Sequence, residues 1–272
     1  MSHTLALSPQ VFSILSALIE ERLGLYFNLD YRDVLVEKLS PRALDRGFDS
    51  MLDYYYFLRY DAAAQSELLA IADALTVNET YFLREATQLR VLVEDMLAPA
   101  VAGGARPRVW CAACSTGEEP ISLAALLDER GLLDRVELMA SDVSERALGV
   151  ARRGMYGARA VRNLETLPHW LSREGELNVA SPRLRESIDW RLINLLDGAA
   201  VAALGRFDAV ICRNVMIYFR DDTTQGVVSR LHDVLVPGGH LLIGASESLL
   251  RLGTAFNCVE HRGAFFYQKA AP

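Results

Sequence analysis

Apolar residues at Val11, Leu15, Leu18, Ile19 and Leu23 recur at helical spacing, and Gly24 supplies a stop. The same reading places a second helix over about Asp33 to Asp45, ending near Gly47, with Pro41 inside it as a break or kink. A third helix covers Met51 to Tyr60 and a fourth Gln65 to Ala74. No two-residue alternation interrupts them, so residues 1–75 read as a small all-helical domain. Thr76 and Glu79 then form a T-x-x-E capping signature, which predicts a helix from there to about Leu97. The stretch "APAVAGGARP", rich in small residues, Gly and Pro, follows as a loop, so that residues 76–105 form a linker.

From Arg108 short apolar runs alternate with helical patterns. "RVWCAAC", "VELMASD", "DWRLIN", "FDAVICRN" and "HLLIGA" read as strands, and "ISLAALLDERG", "SERALGVARRGMY" and "TTQGVVSRLHDVL" as helices. Strands alternating with helices imply an α/β doubly wound, mostly parallel sheet over residues 106–272. "VPGG" reads as a tight turn into "HLLIGA", and "AFFYQK" as an antiparallel edge strand. Between about residues 157 and 188 the pattern lapses for longer than an ordinary connection allows, which marks an insertion.

Half of the 272 residues are apolar and 23% are charged, a composition of soluble globular chains. No apolar run approaches the ~20 residues that cross a bilayer, and no basic-then-apolar leader is visible. The expected compartment is therefore the cytoplasm, with no membrane insertion. A net charge of −7 argues against generic nucleic-acid binding. Four cysteines are too few for a disulfide framework, and Cys111 and Cys114 lack the second ligand pair of a metal site. No metal is expected.

In open α/β sheets ligands bind beyond the carboxyl ends of the strands. The first strand ends in Ser115-Thr116-Gly117-Glu118-Glu119-Pro120. Gly117 permits close backbone approach. Glu118 and Glu119 stand where a dinucleotide fold would hold a pyrophosphate; two carboxylates repel that group and attract a cation such as an amine or sulfonium. A single glycine with two glutamates also argues against a nicotinamide-dependent oxidoreductase. Asp142 ends the second strand, 25 residues after Gly117, where an acid can accept both ribose hydroxyls. Asn194 and Leu195 follow the third strand; an amide can read an adenine edge and a leucine can pack on its face. Arg213 and Asn214 follow "AVIC", a charged and an amide residue directly after an apolar strand.

The strings "NETYFLRE", "RVWCAACSTGEEP", "ASDVSERAL", "INLL", "FDAVICRNVMIYF" and "PGGHLLIGASESL" together resemble the chemotaxis receptor methyltransferases, the CheR family. The resemblance runs from about Leu7 to Lys269. It implies a methyltransferase sheet with a small N-terminal helical domain and a small inserted subdomain. It implies S-adenosylmethionine as cofactor, S-adenosylhomocysteine as product, and receptor glutamates as acceptors. Matched onto its motifs, Asn78, Thr80 and Arg84 would contact the cofactor and one of Glu118 and Glu119 its methionine part. Asp142 would take the ribose, Asn194 and Leu195 the adenine end, and Arg213 and Asn214 the remaining contacts. Arg84 or Arg213 would also orient the incoming carboxylate, and Tyr218 would line the substrate channel.

In this family the helical domain helps to grip the receptor's helical methylation region. Lys38, Arg42 and Arg46, at i, i+4 and i+8, form a basic stripe suited to an acidic helix. Yet residues 1–80 hold 6 Lys and Arg against 12 Asp and Glu, so any such patch is local. The expected partner is the cytoplasmic helical region of a methyl-accepting receptor, and the expected state is a monomer. Two competing readings remain: a methyltransferase with another substrate, and a non-catalytic cofactor-binding adaptor.

Overall fold

The computed structural model of this protein describes residues 4–271. The chain divides into two compact units: residues 1–77 with 217–224, and residues 78–216 with 225–272.

The first unit begins with four helices. Helix α1 (Pro9–Leu23) starts at Ser8, whose hydroxyl accepts from Val11 N, and stops at Gly24, where φ is +78°. Helices α2 (Arg32–Asp45), α3 (Met51–Tyr60) and α4 (Ala64–Leu75) follow. Their apolar faces bury Leu15, Ile19, Leu35, Leu39, Tyr54 and Ile71 against one another. Pro41 does not break α2, contrary to the sequence expectation. The helix continues through it because Leu39, Ser40 and Ala43 are wholly buried, and tertiary packing outweighs one lost backbone bond.

Thr76 does not start a helix. It ends α4, with its hydroxyl donating to Ala72 O at 2.8 Å. The next helix, α5 (Ala86–Val91), begins ten residues later. Leu83 and Glu85 between them have φ of +58° and +49°, which a right-handed helix excludes. The "linker" is also not separate. Alpha-helix α5, a π-helical stretch (Leu92–Leu97) and α6 (Ala98–Ala102) form one continuous rod, and Leu89, Leu92, Val93, Leu97 and Val101 belong to the core of the second unit. Pro99 sits in the first turn of α6, where its missing N–H costs least, so the first half of the expected loop is helical and only residues 103–107 form the turn and loop before β1.

The second unit then runs β1 (Arg108–Ala112), α7 (Glu118–Glu129), β2 (Glu137–Asp142), α8 (Glu145–Arg153), β3 (Met155–Tyr156), β4 (Leu171–Glu174), β5 (Leu177–Ala180), α9 (Pro182–Glu186), β6 (Ile188–Leu192), α10 (Gly198–Ala202) and β7 (Phe207–Ile211). Helix α11 (Asp221–Val234), whose first turn counts with the first unit, leads to β8 (Leu235–Leu242), β9 (Phe256–His261) and β10 (Ala264–Lys269).

The main sheet has the order β6-β2-β1-β7-β8-β10-β9. Its first five strands are parallel, and β10 and β9 are antiparallel. "AFFYQK" is β10, but it lies inside, because β9 pairs along its whole outer side. "VPGG" is an irregularity within β8 and not a turn before it: the register against β7 shifts between Phe207 and Ala209. Gly239 has no room for a side chain there, since a Cβ would lie 2.9 Å from Val236 O. The inserted segment forms a separate antiparallel sheet of order β3-β5-β4, closed by a hairpin at Gly175 (φ +61°).

The segment 78–85 is fastened to the second unit. Phe82 is fully buried, with its ring edge-on to Tyr156 at 4.9 Å and to Trp170 at 5.3 Å, and its N–H donates to Ala160 O. Leu83 N donates to Ser122 Oγ on α7.

Candidate functional site

The carboxyl ends of β1, β2, β6, β7 and β8 meet at the middle of the sheet, where the strand order reverses between β1 and β7. Between β1 and α7 the backbone is left-handed at Ala113 (φ +56°), Ser115 (+52°) and Gly117 (+89°). Two of these are not glycine, a strained arrangement that persists only where surroundings enforce it. At Gly117 the enforcing feature is packing. A Cβ there would lie 2.6 Å from Ala151 Cβ and 2.9 Å from the Trp190 ring. The glycine expected from sequence to admit a ligand thus admits helix α8.

Asp142, buried at the end of β2, holds this loop in place. Its Oδ2 accepts from Ser115 N at 2.7 Å and its Oδ1 from Ser144 N at 2.9 Å. Ser115 Oγ in turn donates to Asn78 Oδ1 at 3.0 Å, so segment 78–85 meets the strand ends through Asn78. Thr80 is half-buried on the same segment.

Glu118 is 4% exposed, and its Oε2 accepts from Thr116 Oγ1 at 2.6 Å. Burial pushes its carboxyl above the ordinary range, opposed by the Thr116 hydroxyl. Glu119 has a different task. It pairs with Arg213, whose Nη1 is 2.9 Å from Glu119 Oε2 and whose Nη2 is 2.9 Å from Glu85 Oε2. Nη2 also donates to Arg84 O. The Arg213 side chain is 1% exposed, and its Nε has no hydrogen-bond partner. Burial pushes the Glu119 carboxyl up as well, while Arg213 pulls it down. Arg213 is thus a bridge between β7, α7 and segment 84–85.

Asn194 closes an Asx turn, its Oδ1 accepting from Leu196 N at 2.9 Å, and Leu195 beside it is buried. Asn214 is left-handed (φ +59°). Its conformation is set by a residue that the sequence reading missed, Glu247. That carboxylate accepts from the backbone amides of Asn214 (2.7 Å), Val215 (3.0 Å), Met216 (2.8 Å) and Gly244 (2.7 Å). Glu85 was also missed; besides Arg213 it accepts from Ala245 N at 3.1 Å. Two acids thus staple the loops after β7 and β8. The signal in the sequence was that Glu85 ends "NETYFLRE" and Glu247 lies within "PGGHLLIGASESL", which does not name a partner.

Arg84 is half-buried, its guanidinium 5.7 Å from the Tyr81 ring centre. Tyr218 belongs to the first unit, where its carbonyl accepts from Tyr26 N at 2.9 Å. The basic stripe is there too, and two of its three members serve another carboxylate. Glu67 is fully buried and accepts from Arg42 Nε (2.8 Å) and Tyr54 OH (2.6 Å). Arg46 Nε is 2.8 Å from the other oxygen as an ion pair, without a hydrogen bond aimed at it. Lys38 is exposed beside Glu37. Charged side chains at a regular helical spacing can serve a buried acid as readily as an external partner, and here α4 supplies that acid.

The donor set fits a cationic, adenosine-bearing ligand. Glu118 is a buried carboxylate with no ion-pair partner among the described residues, Asp142 is a buried acid at the end of β2, and Arg213 is already neutralised by Glu85 and Glu119. Comparison with known proteins agrees. Residues 78–265 match the family described as CheR methyltransferase, SAM binding domain, and residues 10–76 match CheR methyltransferase, all-alpha domain. The chain is 35% identical over 258 residues to chemotaxis protein methyltransferase 2 of Vibrio cholerae serotype O1, covering 92% of this chain and 89% of that one. It is 34% identical over 265 residues to the chemotaxis protein methyltransferase of Escherichia coli K12, covering 94% and 90%. Among solved structures, an N-methyltransferase of Bradyrhizobium japonicum with S-adenosylhomocysteine is 19% identical over 74% of this chain and 94% of that one, with a TM-score of 0.41. The chain belongs to the CheR family of chemotaxis methyltransferases, an all-helical domain followed by a domain that binds S-adenosylmethionine.

Proposed function

We propose that this enzyme esterifies glutamate side chains on the cytoplasmic helical region of methyl-accepting chemotaxis receptors, acting as a cytoplasmic monomer. Support comes from family membership over nearly the whole chain, together with one observation: the buried carboxylate of Glu118, without an ion-pair partner among the described residues, after the strand next to the one that Asp142 ends. S-adenosylmethionine supplies, when bound, a methyl group activated on a sulfonium.

The chain's own residues then have separable tasks. Glu118 holds the ammonium of the methionine part, because Glu119 is committed to Arg213. Asp142 takes the ribose hydroxyls, Asn194 and Leu195 the adenine, and Asn78 and Thr80 close the site from segment 78–85. Arg213 and Asn214 shape its floor through the Glu85, Glu119 and Glu247 contacts. Arg84 orients the acceptor carboxylate, and Tyr218, four residues after Asn214, meets the substrate. A free glutamate, with a pKa of about 4.3, is already ionised at neutral pH, so no general base is required. Catalysis rests on alignment, worth at most roughly 7–11 kcal/mol, and on excluding water.

The test is transfer of labelled methyl groups to a receptor cytoplasmic fragment. Base-labile label that disappears when the fragment's acceptor glutamates become alanine is the expected result. Cofactor binding with no ester on any such fragment would make the chain an adaptor; ester on other proteins alone would make its substrate a different one.

A further inference from the structure

We propose that the turn at residues 158–162 and the neighbouring Tyr81 region form a cationic ridge that receives the acidic face of the receptor helix. This rests on the receptor reading above and adds a surface to it.

The ridge stands out in the sequence. Residues 146–164 contain five arginines and no acid, in a chain of net charge −7. The structure shows how two of them align. Ala158–Val161 is a 3-10 turn that ends at Arg162. Side chains three apart eclipse on such a turn, so Arg159 and Arg162 project from the same edge. Arg159 is exposed. The Arg162 guanidinium lies 4.7 Å from the Tyr81 ring centre, and that of Arg84 lies 5.7 Å from the same centre. The two cations are therefore within about 10 Å of each other. Phe82 N donates to Ala160 O, and the buried Phe82 ring packs against Tyr156 and Trp170, so the turn and segment 78–85 form one rigid wall.

The acids beside this wall are Glu79, 3.0 Å from Arg162 and itself 67% exposed, and Glu85, 4.0 Å from Arg84 but shared with Arg213. Three guanidiniums on one surface repel each other, and one exposed carboxylate with one already serving Arg213 does not offset them. A row of acids on a partner helix would. Arg84, the candidate for orienting the acceptor carboxylate, is a member of this row, so the ridge is continuous with the site of chemistry. An anionic lipid surface would also be attracted by charge alone, but continuity with Arg84 favours a protein carboxylate.

The experiment uses the full-length enzyme with Arg159→Ala and Arg162→Ala together, the same pair changed to Lys, and Glu79→Gln alone. Initial rates of methyl transfer to a receptor cytoplasmic fragment are measured from low salt to about 0.5 M, where the Debye length falls to about 4 Å. Calorimetry gives cofactor affinity in parallel. The alanine pair should raise KM for the fragment about tenfold at low salt, with the gap closing at high salt. Cofactor affinity should not change, and the lysine pair should recover most of the loss. Glu79→Gln should lower KM, because it releases Arg162; a stabilising surface pair with no role in docking would not respond this way. An unchanged KM in the alanine pair, a loss equal at all salt concentrations, or a raised KM in Glu79→Gln would each overturn the ridge. So would loss of sedimentation with phosphatidylglycerol vesicles while KM for the fragment stays fixed. If the wild-type enzyme places no label on the fragment, the receptor reading itself falls, and the ridge with it.

Discussion

Replacing Arg213 by methionine removes one guanidinium and leaves two carboxylates, Glu119 and Glu85, facing each other without it. The side chain is 1% exposed, and both ion pairs are 2.9 Å long. Removing one partner of a buried pair costs about 3–5 kcal/mol, mostly because the charge left behind is uncompensated. Glu85 and Glu119 keep some access to water, with side chains 25% and 15% exposed, which argues for the lower end, about 3 kcal/mol. Lysine in place of Arg213 can reach only one carboxylate at a time and should cost about half as much. The signature is the double variant. Arg213→Met with Glu119→Gln removes the less exposed of the two charges left behind and their mutual repulsion, so it should be more stable than Arg213→Met alone. Urea unfolding followed by tryptophan fluorescence reads this directly, since Trp110, Trp170 and Trp190 all lie in the second unit. If Arg213→Met lowers stability by under about 0.5 kcal/mol, as an ordinary surface change does, or if the second substitution adds to the loss, the bridge does not hold these elements.

Three further outcomes follow from the same contacts. Cofactor affinity should fall with decreasing pH from above the ordinary carboxylate range: burial raises the Glu118 pKa, the ionised form binds the cation, and protonation removes it. In Glu118→Gln this limb should vanish and affinity at neutral pH should be weaker, as calorimetry across pH would register. Glu247→Gln keeps one acceptor oxygen for four amide donors and should cost about 1–3 kcal/mol, with weaker cofactor binding because Asn214 is released from its left-handed conformation. Asp142→Ala should weaken cofactor binding by at least about tenfold, given two lost amide contacts besides the ribose; unchanged affinity in titration calorimetry would remove it from the site.

Much of the fold was readable because periodicity is local. Val11, Leu15, Leu18 and Leu23 fix one face of a helix without knowledge of any neighbour, and the strand–helix alternation after Arg108 fixes a parallel sheet. The acidic strand ends at Glu118 and Asp142 were legible for a similar reason: a residue directly after a buried strand has few places to go. The readings that failed each depended on distant atoms. The T-x-x-E signature at Thr76 was sound as a pattern, but Phe82, buried against Tyr156 and Trp170, holds the following segment in turns with left-handed backbone at Leu83 and Glu85. Pro41 looked like a breaker until burial around it outweighed a single lost bond, and Pro99 is tolerated because it stands in a first helical turn. Glu67, Glu85 and Glu247 carry no local sign of their partners, because several of these lie far along the chain, 25 residues away for Glu67 and Arg42 and 160 for Glu85 and Ala245.

The sequence by itself therefore determined the two-part architecture, the doubly wound sheet and the acidic chemistry of its strand ends. Only the tertiary structure decided which glutamate Arg213 consumes and which it leaves, and that Arg42 and Arg46 of α2 turn to Glu67. The physical reason is that periodicity and turn chemistry act over a few residues. A charge takes its role from whichever opposite charge the folded chain brings within about 3 Å, and no local pattern records that partner.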